Sequence, residues 1–489
     1  MRTIGTTGIF FFAVSLTTAQ LAQGDSSTWN LNPTSGDWNT AANWTPASVP
    51  NAPDATAIFD VSNITNVSLS GRTTVGEIIF NPGASAFTIT APGQMADALS
   101  IVGAGLSNES GIEQALVAPE FGTFLGLPTV IFKGTALAGN LITLTAIPLG
   151  GIRFQENSGA DHATIVAAER SAVVFADKSN AGSAIITSNG TDRASSYGSE
   201  VDFIGHSDAA NAILTAESGS GGGGGGRVYF TDDSSGGLAQ VQVFGNGTLL
   251  TDHNEPGVTI GSLEGDGIVS IGLGTLSIGS NGRDTVFSGV IQDFTFPSPV
   301  RKVGDGILHL QGASTYTAGT TIDGGQLLAE NTAGFALGTG PVQVNSGTLG
   351  GKGIIAGAVT VGTNTKTPAF LAPSKGAKKP ATLTIQGAIT LNDDSTYIYK
   401  LDTKKVKADE VIANGVVIDS GAKFSLRPSG NNALTVGQVF TVLGNTSTSP
   451  ITGTFHNLAD GAIVNVNGNN LQASYSGGDG NDLTLTVVP

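Results

Sequence analysis

The chain has 489 residues, with 70 glycines, no cysteine and only 12% charged residues. A globular enzyme of this length would carry about twice that charged fraction, and the absence of cysteine excludes a disulfide framework and thiolate chemistry. The formal net charge of −16 excludes nucleic acid as a general partner, because phosphate binding needs a basic surface.

Residues 1–23 read as a cleaved secretory signal. Arg2 is the positive region, residues 9–16 form the apolar core, and small residues follow up to Gln23. The apolar run is too short to span a bilayer, and no transmembrane segment is expected after cleavage. From there on, short β-prone runs alternate with Gly, Asn, Asp, Ser and Thr. That texture predicts an all-β, right-handed parallel β-helix, or solenoid. The expected form is a single elongated domain with an N-terminal cap and a more irregular C-terminal portion.

Residues 24–150 should form the cap and the first rungs. Trp29, Trp38 and Trp44 all fall early in this stretch. The end of a solenoid exposes unpaired backbone and apolar surface, and large rings with a polar handle suit its cover. The alternative is a carbohydrate-binding module whose exposed indoles stack on sugars. Strands are predicted at 67–69, 75–80, 87–90, 99–102, 129–133 and 141–144. Residues 106–128 carry Glu109, Glu113 and Glu120 near Pro119 and Pro128, and are expected to project as a loop or small insertion.

Residues 151–300 contain an internal repeat of the form β-x-Phe-x-x-x-Ser, with Phe154, Phe175, Phe203 and Phe230. Successive Phe are 21 (175 − 154), 28 (203 − 175) and 27 (230 − 203) residues apart, about one coil each. They are expected to stack as an interior ladder. The Gly run at 221–226 reads as a flexible linker between two copies.

Residues 301–362 read as short strands at 307–310, 320–322, 326–328, 342–344, 353–355 and 359–361. The string Lys302-Val303-Gly304-Asp305-Gly306 is followed by Leu308-x-Leu310-x-Gly312, Ser314-x-Tyr316-Thr317-x-Gly319-Thr320-Thr321-Ile322 and Gly325-x-Leu327-Leu328. Together with Gly338-Thr339-Gly340 and the run from Val342 to Gly351, it resembles the autotransporter-associated β-strand repeat of secreted bacterial passenger proteins. The resemblance implies a scaffold and says little about activity. It also implies that residues 363–489 form C-terminal rungs and a closing unit. Residues 370–374 and 381–385 resemble the segment that follows the repeat in that family, although the family glycine after Pro373 is missing and residues 375–380 intrude. The outer-membrane barrel of an autotransporter is not found in the chain.

Candidate chemistry is sparse. Gly477-Gly478-x-Gly480-x-Asp482 matches one calcium-binding nonapeptide. One copy cannot complete a site, so a tight turn is the first reading; if calcium binds, Asp479 and Asp482 are its ligands. No other cofactor is expected. His162 and His206, beside Asp161 and Asp208, would line one face across rungs, or else sit at surface corners. Lys366, Lys375, Lys378, Lys379, Lys400, Lys404, Lys405 and Lys407 read as solvated loop and edge residues, or as a dock for anionic envelope polysaccharide or lipid headgroups. No H-E-x-x-H, G-x-S-x-G or P-loop string occurs. The expected function is a non-enzymatic structural or adhesin-like protein, secreted or at the cell surface of a bacterium. Its expected partners are cell-surface polysaccharide or other surface proteins. The alternatives are a β-helix polysaccharide lyase or hydrolase and a carbohydrate-binding module.

Overall fold

The computed structural model describes residues 26–93, 95–120, 129–375 and 379–489. The signal expected at 1–23 lies outside them. The described chain is all-β, with 42 strands and a single 3-10 turn at Ala41–Asn43.

From Gln114 to Thr251, successive strands alternate between two parallel stacks. In the first, Val130–Phe132, Gly151–Phe154, Ala172–Phe175, Glu200–Phe203, Arg227–Phe230 and Thr248–Thr251 pair in that order. In the second, Gln114–Ala118, Ile142–Ala146, Thr164–Ala167, Ile185–Ser188, Ile213–Ala216 and Gly236–Val243 do the same. Between them runs a third ladder of single bridges, Leu137 to Gly159 to Asn180 to Asp208 to Ser235. Each strand therefore meets the strand one turn of chain later, the pairing that a β-helix requires.

The four-residue strands alternate, so their second and fourth residues point inward. Val201 and Phe203, and Val228 and Phe230, are buried at these positions. The predicted Phe ladder is present. Phe154, Phe175, Phe203 and Phe230 stack face to face at 4.7–4.9 Å, and Phe132 extends the column below them at 4.7 Å. The first two Ser of the repeat satisfy ladder carbonyls of the preceding rung, whereas the Ser207 hydroxyl is buried with no partner among the described residues. Ser179 Oγ donates to Phe154 O, and Ser158 Oγ donates to Phe132 O.

Two residues beyond each ladder position the chain turns in the left-handed region, at Gly134, Glu156, Asp177, Gly205 and Asp232. Three of these N–H groups are met by a carboxylate of the next rung: Gly134 donates to Glu156, Glu156 to Asp177 and Gly205 to Asp232, at 2.8–3.0 Å. Acidic residues are thus built into the corners as hydrogen-bond acceptors.

Residues 106–118 do not project. They belong to the strands Leu99–Asn108 and Gln114–Ala118 and the short turn between them; residues 121–128 lie outside the described residues. Side-chain amides fill the gaps in this irregular rung. Gln114 accepts from Phe87 N and donates to Ser85 O and Ser110 Oγ.

The N-terminal end is closed by the three Trp. Their rings and Phe59 pack at 4.9–6.1 Å, and each indole N–H donates to a backbone carbonyl. All three indoles are buried. They therefore offer no face to a sugar, which removes the Trp-based carbohydrate platform. At the other end a third sheet begins with Ile354–Ile355, Thr382–Ile385, Glu410–Ala413 and Val439–Asn445 in parallel. It finishes with Asp482–Val488, Asn469–Gly477 and Ile463–Val466 in antiparallel order. One continuous apolar core runs from Trp29 to Val487.

Candidate functional site

Most rungs leave the second stack through a short turn, such as the one closed by Ser171 N donating to Ala168 O. Two successive rungs do not. After Ile185–Ser188 and Ile213–Ala216 the chain runs out in longer loops, residues 189–199 and 217–226, which account for the longer Phe spacings. Each loop is pinched at its base, by Ser199 N to Asn189 O and by Gly226 N to Glu217 O, both 2.8 Å. The strands that follow therefore return in register.

The two loops are laced together. Thr191 N donates to Gly224 O, Gly224 N to Ser196 O, and Ser220 N to Thr191 O, at 2.8–3.0 Å. The Gly run is packed and not a loose linker. A Cβ at Gly223 would collide with Thr191 O, and one at Gly226 with Ser188 O. Glycine is required here for close backbone approach.

A cleft of about 610 Å³ opens beside these loops, lined by Pro148, Glu169, Thr191, Asp192, Arg193 and Glu217 among others. Four ionisable side chains thus converge. Glu169 is already engaged: Arg193 Nε lies 3.0 Å away and Thr191 Oγ1 donates to it at 2.5 Å.

A second cleft of about 490 Å³ is lined by Lys366, Phe370, Asp393, Thr396 and Lys423. Its rim is set by Asp394, whose carboxylate accepts from the N–H groups of Thr363, Thr365 and Lys366 at 3.0–3.1 Å. Lys366 is the member of the sequence-predicted lysine series that lines this cleft. Lys405 pairs with Asp402 at 3.3 Å, Lys404 and Lys407 are exposed on the same hairpin, and Lys378 lies outside the described residues.

The predicted histidines do not act together. His162 pairs with Asp161 at 2.8 Å, whereas His206 faces Asp233 at 3.5 Å and not Asp208. His162 follows bridge residue Gly159 by three positions and His206 precedes bridge residue Asp208 by two, so they stand in different columns. Asp479 is exposed near the tip of the antiparallel hairpin whose strands pair Gly477 with Asp482. Asp482 ties that hairpin to the next strand by accepting from Asn445 N at 2.8 Å. Among the described residues, no group of three or more His, Cys, Asp or Glu is placed to hold a metal ion.

One further segment has its own geometry. Val300–Lys302, Ile307–Leu310 and Thr320–Ala329 stack in parallel, the last pairing with both others. A Cβ at Gly306, Gly312 or Gly325 would collide with a carbonyl oxygen of a neighbouring chain segment. Tyr316 is fully buried and its hydroxyl lies 2.6 Å from Thr320 Oγ1. Residues 300–329 match the family described as the passenger-associated-transport-repeat. The chain thus carries an autotransporter passenger-type repeat. No curated protein matches the chain. Within the passenger-type repeat, Arg301 pairs with Asp323, and Lys302 is buried with its ammonium donating to Val303 O and Gly304 O at 2.6 and 3.0 Å. The sequence pattern marks Lys302 as part of the motif and carries no sign of its burial.

Proposed function

We propose that this chain is an exported bacterial surface protein, a right-handed β-solenoid forming one elongated domain. In this reading it is a non-enzymatic structural or adhesin-like protein whose partners are cell-surface polysaccharide or other surface proteins. The passenger-type repeat at residues 300–329 supports export and surface association. The second stack continues from Gly236–Val243 through Gly257–Gly265 and Thr275–Ile278 to Val300–Lys302 and beyond, and the observation that carries the scaffold role is its outward column there, Arg301, Thr321, Gln343, Thr360 and Thr390 in register. Such a polar column offers hydrogen bonds along its length without converging on one reacting atom.

A polysaccharide lyase or hydrolase is the second reading. Glu169, Asp192, Arg193 and Glu217 converge on one cleft, as paired-carboxylate chemistry requires. The engagement of Glu169 by Arg193 and Thr191 weighs against it, because a braced carboxylate is poorly placed to move a proton. The test is incubation of the full chain with a panel of acidic and neutral polysaccharides, reading both retention and release of new ends. Retention without cleavage supports the surface role. Cleavage that is lost in Glu217→Gln would replace it with the enzyme.

A further inference from the structure

The loop at 189–199 also reaches the outer face of the first stack. Glu200 and Asp202 are the first and third residues of Glu200–Phe203, with Val201 and Phe203 turned into the core. Both carboxyls therefore face outward, with Cα atoms about 6.6 Å apart. In the next rung Arg227 is in register with Glu200 and Tyr229 with Asp202. Arg227 Nη1 lies 3.0 Å from Glu200 Oε1, and its guanidinium carbon is 5.4 Å from the ring centroid of Tyr197. Tyr197 is 54% exposed although it sits on a packed loop. An aromatic ring with that much surface in water, braced by a cation, is a recognition feature more than a core element.

Asp202 completes the group. No hydrogen bond from the described residues holds its carboxyl. Burial, then the charge of Glu200, pushes its pKa up to about 7, against the opposing pull of Arg227. The groups facing it are Glu200 on its own strand and Arg227 and Tyr229 on the next; the preceding strand presents Ala172 and Val174. Two carboxyls two residues apart are thus held differently, one paired with an arginine and one able to keep its proton.

We propose that this face is a glycan-binding platform, on which a neutral sugar ring packs against Tyr197 while Glu200, Arg227 and the carboxyl of Asp202 take its hydroxyls. Glu200 and Arg227 offset each other's charge, and a chain of net charge −16 repels polyanions, so a neutral glycan fits better than an acidic one. The proposal rests on the surface-protein reading above and says where its polysaccharide docks.

The test is saturation-transfer NMR and calorimetry on the full chain with cello-, xylo-, malto- and chito-hexaose. At least one should bind at about pH 6. Tyr197→Ala should weaken that binding about tenfold or more at unchanged melting temperature. Wild-type affinity should fall between about pH 6 and about pH 8 as Asp202 loses its proton. Asp202→Asn, whose amide still donates, should bind at the lower pH and lose this dependence. Absence of binding by all four sugars at millimolar concentration overturns the platform, as does binding that Tyr197→Ala leaves intact. If polysaccharide retention persists in Tyr197→Ala, the surface role stands and this site falls; if wild type retains no polysaccharide, this site and polysaccharide as the partner fall together, and the surface role is left with other surface proteins.

Discussion

At the scale of single residues, the interior is held by side chains that repeat their own contacts. Phe175 is fully buried between Phe154 at 4.7 Å and Phe203 at 4.9 Å. Phe175→Ala removes both stacking partners' contact and leaves a cavity that rigid strands cannot close, so a loss of about 3–5 kcal/mol is expected in chemical denaturation. Phe175→Leu, which keeps most of the volume, should cost about 1 kcal/mol. Equal losses for the two would show that the ring stack is not what holds this rung. Lys302 makes a prediction about pH. Burial pulls its pKa down to about 8, against Asp305 and Asp284. An unfolded lysine titrates near about 10.4. Between about pH 8 and about pH 10 the folded chain has therefore shed a proton that the unfolded chain keeps. Stability should rise across that window, by roughly 2 kcal/mol. Above it, Tyr316, Tyr397, Tyr399 and Tyr475 act in the opposite sense, because burial raises their pKa and their phenols ionise first in the unfolded chain. Urea melts of wild type and Lys302→Met should show the rise only in wild type; parallel profiles would refute the assignment.

At the scale of elements, the two corner loops show what glycine does here. Gly226→Ala would drive a methyl into Ser188 O, and Gly223→Ala would drive one into Thr191 O. Each should cost about 1–3 kcal/mol by overpacking, and should also loosen the cleft edge formed by Thr191 and Arg193. Gly71, with nothing within 4 Å of its would-be Cβ, is the control, and Gly71→Ala should stay within about 0.5 kcal/mol. Comparable losses at all three positions would mean that the loops are not nested. These elements also mark how far the sequence was readable. The Phe spacing announced the ladder, and the Gly-punctuated runs from Ile307 to Val361 announced strands, because both patterns follow from strand period and corner geometry. Phe132 was missed because no Ser follows it at the repeat position, which Ala136 occupies instead. The stretch at 106–118 looked irregular because Gln114 and Asn108 supply with side chains the hydrogen bonds that backbone supplies elsewhere. The glycine run looked flexible because composition cannot show which backbone it leans on. Asp202 carried no sequence signal, since its setting comes from residues one rung away.

At the scale of the whole molecule, stability follows from who touches whom. A ladder strand pairs with the strands one rung before and after it, so free energy accumulates as a sum of neighbour terms. The ends need separate treatment because they lack one neighbour. The Trp cluster covers one end, and the antiparallel strands Asp482–Val488, Asn469–Gly477 and Ile463–Val466 cover part of the other. Where the second stack stops, at Lys423–Ser429, Asn457 stands in for the missing strand. Its Oδ1 accepts from Phe424 N and its Nδ2 donates to Phe424 O, both at 2.8 Å. Asn457→Ala removes both bonds from a mostly buried backbone unit, a loss of about 2 kcal/mol. In a globular domain that loss would lower protection everywhere. In a stack of neighbour terms it should stay local. Hydrogen exchange followed by mass spectrometry should show faster exchange in Lys423–Ser429 and in its partner Ser395–Asp402. The Phe ladder from Gly151 to Phe230 should keep its wild-type rates. A uniform rise along the chain would mean that the rungs unfold as one unit, and additive neighbour coupling would then have to be abandoned for this protein.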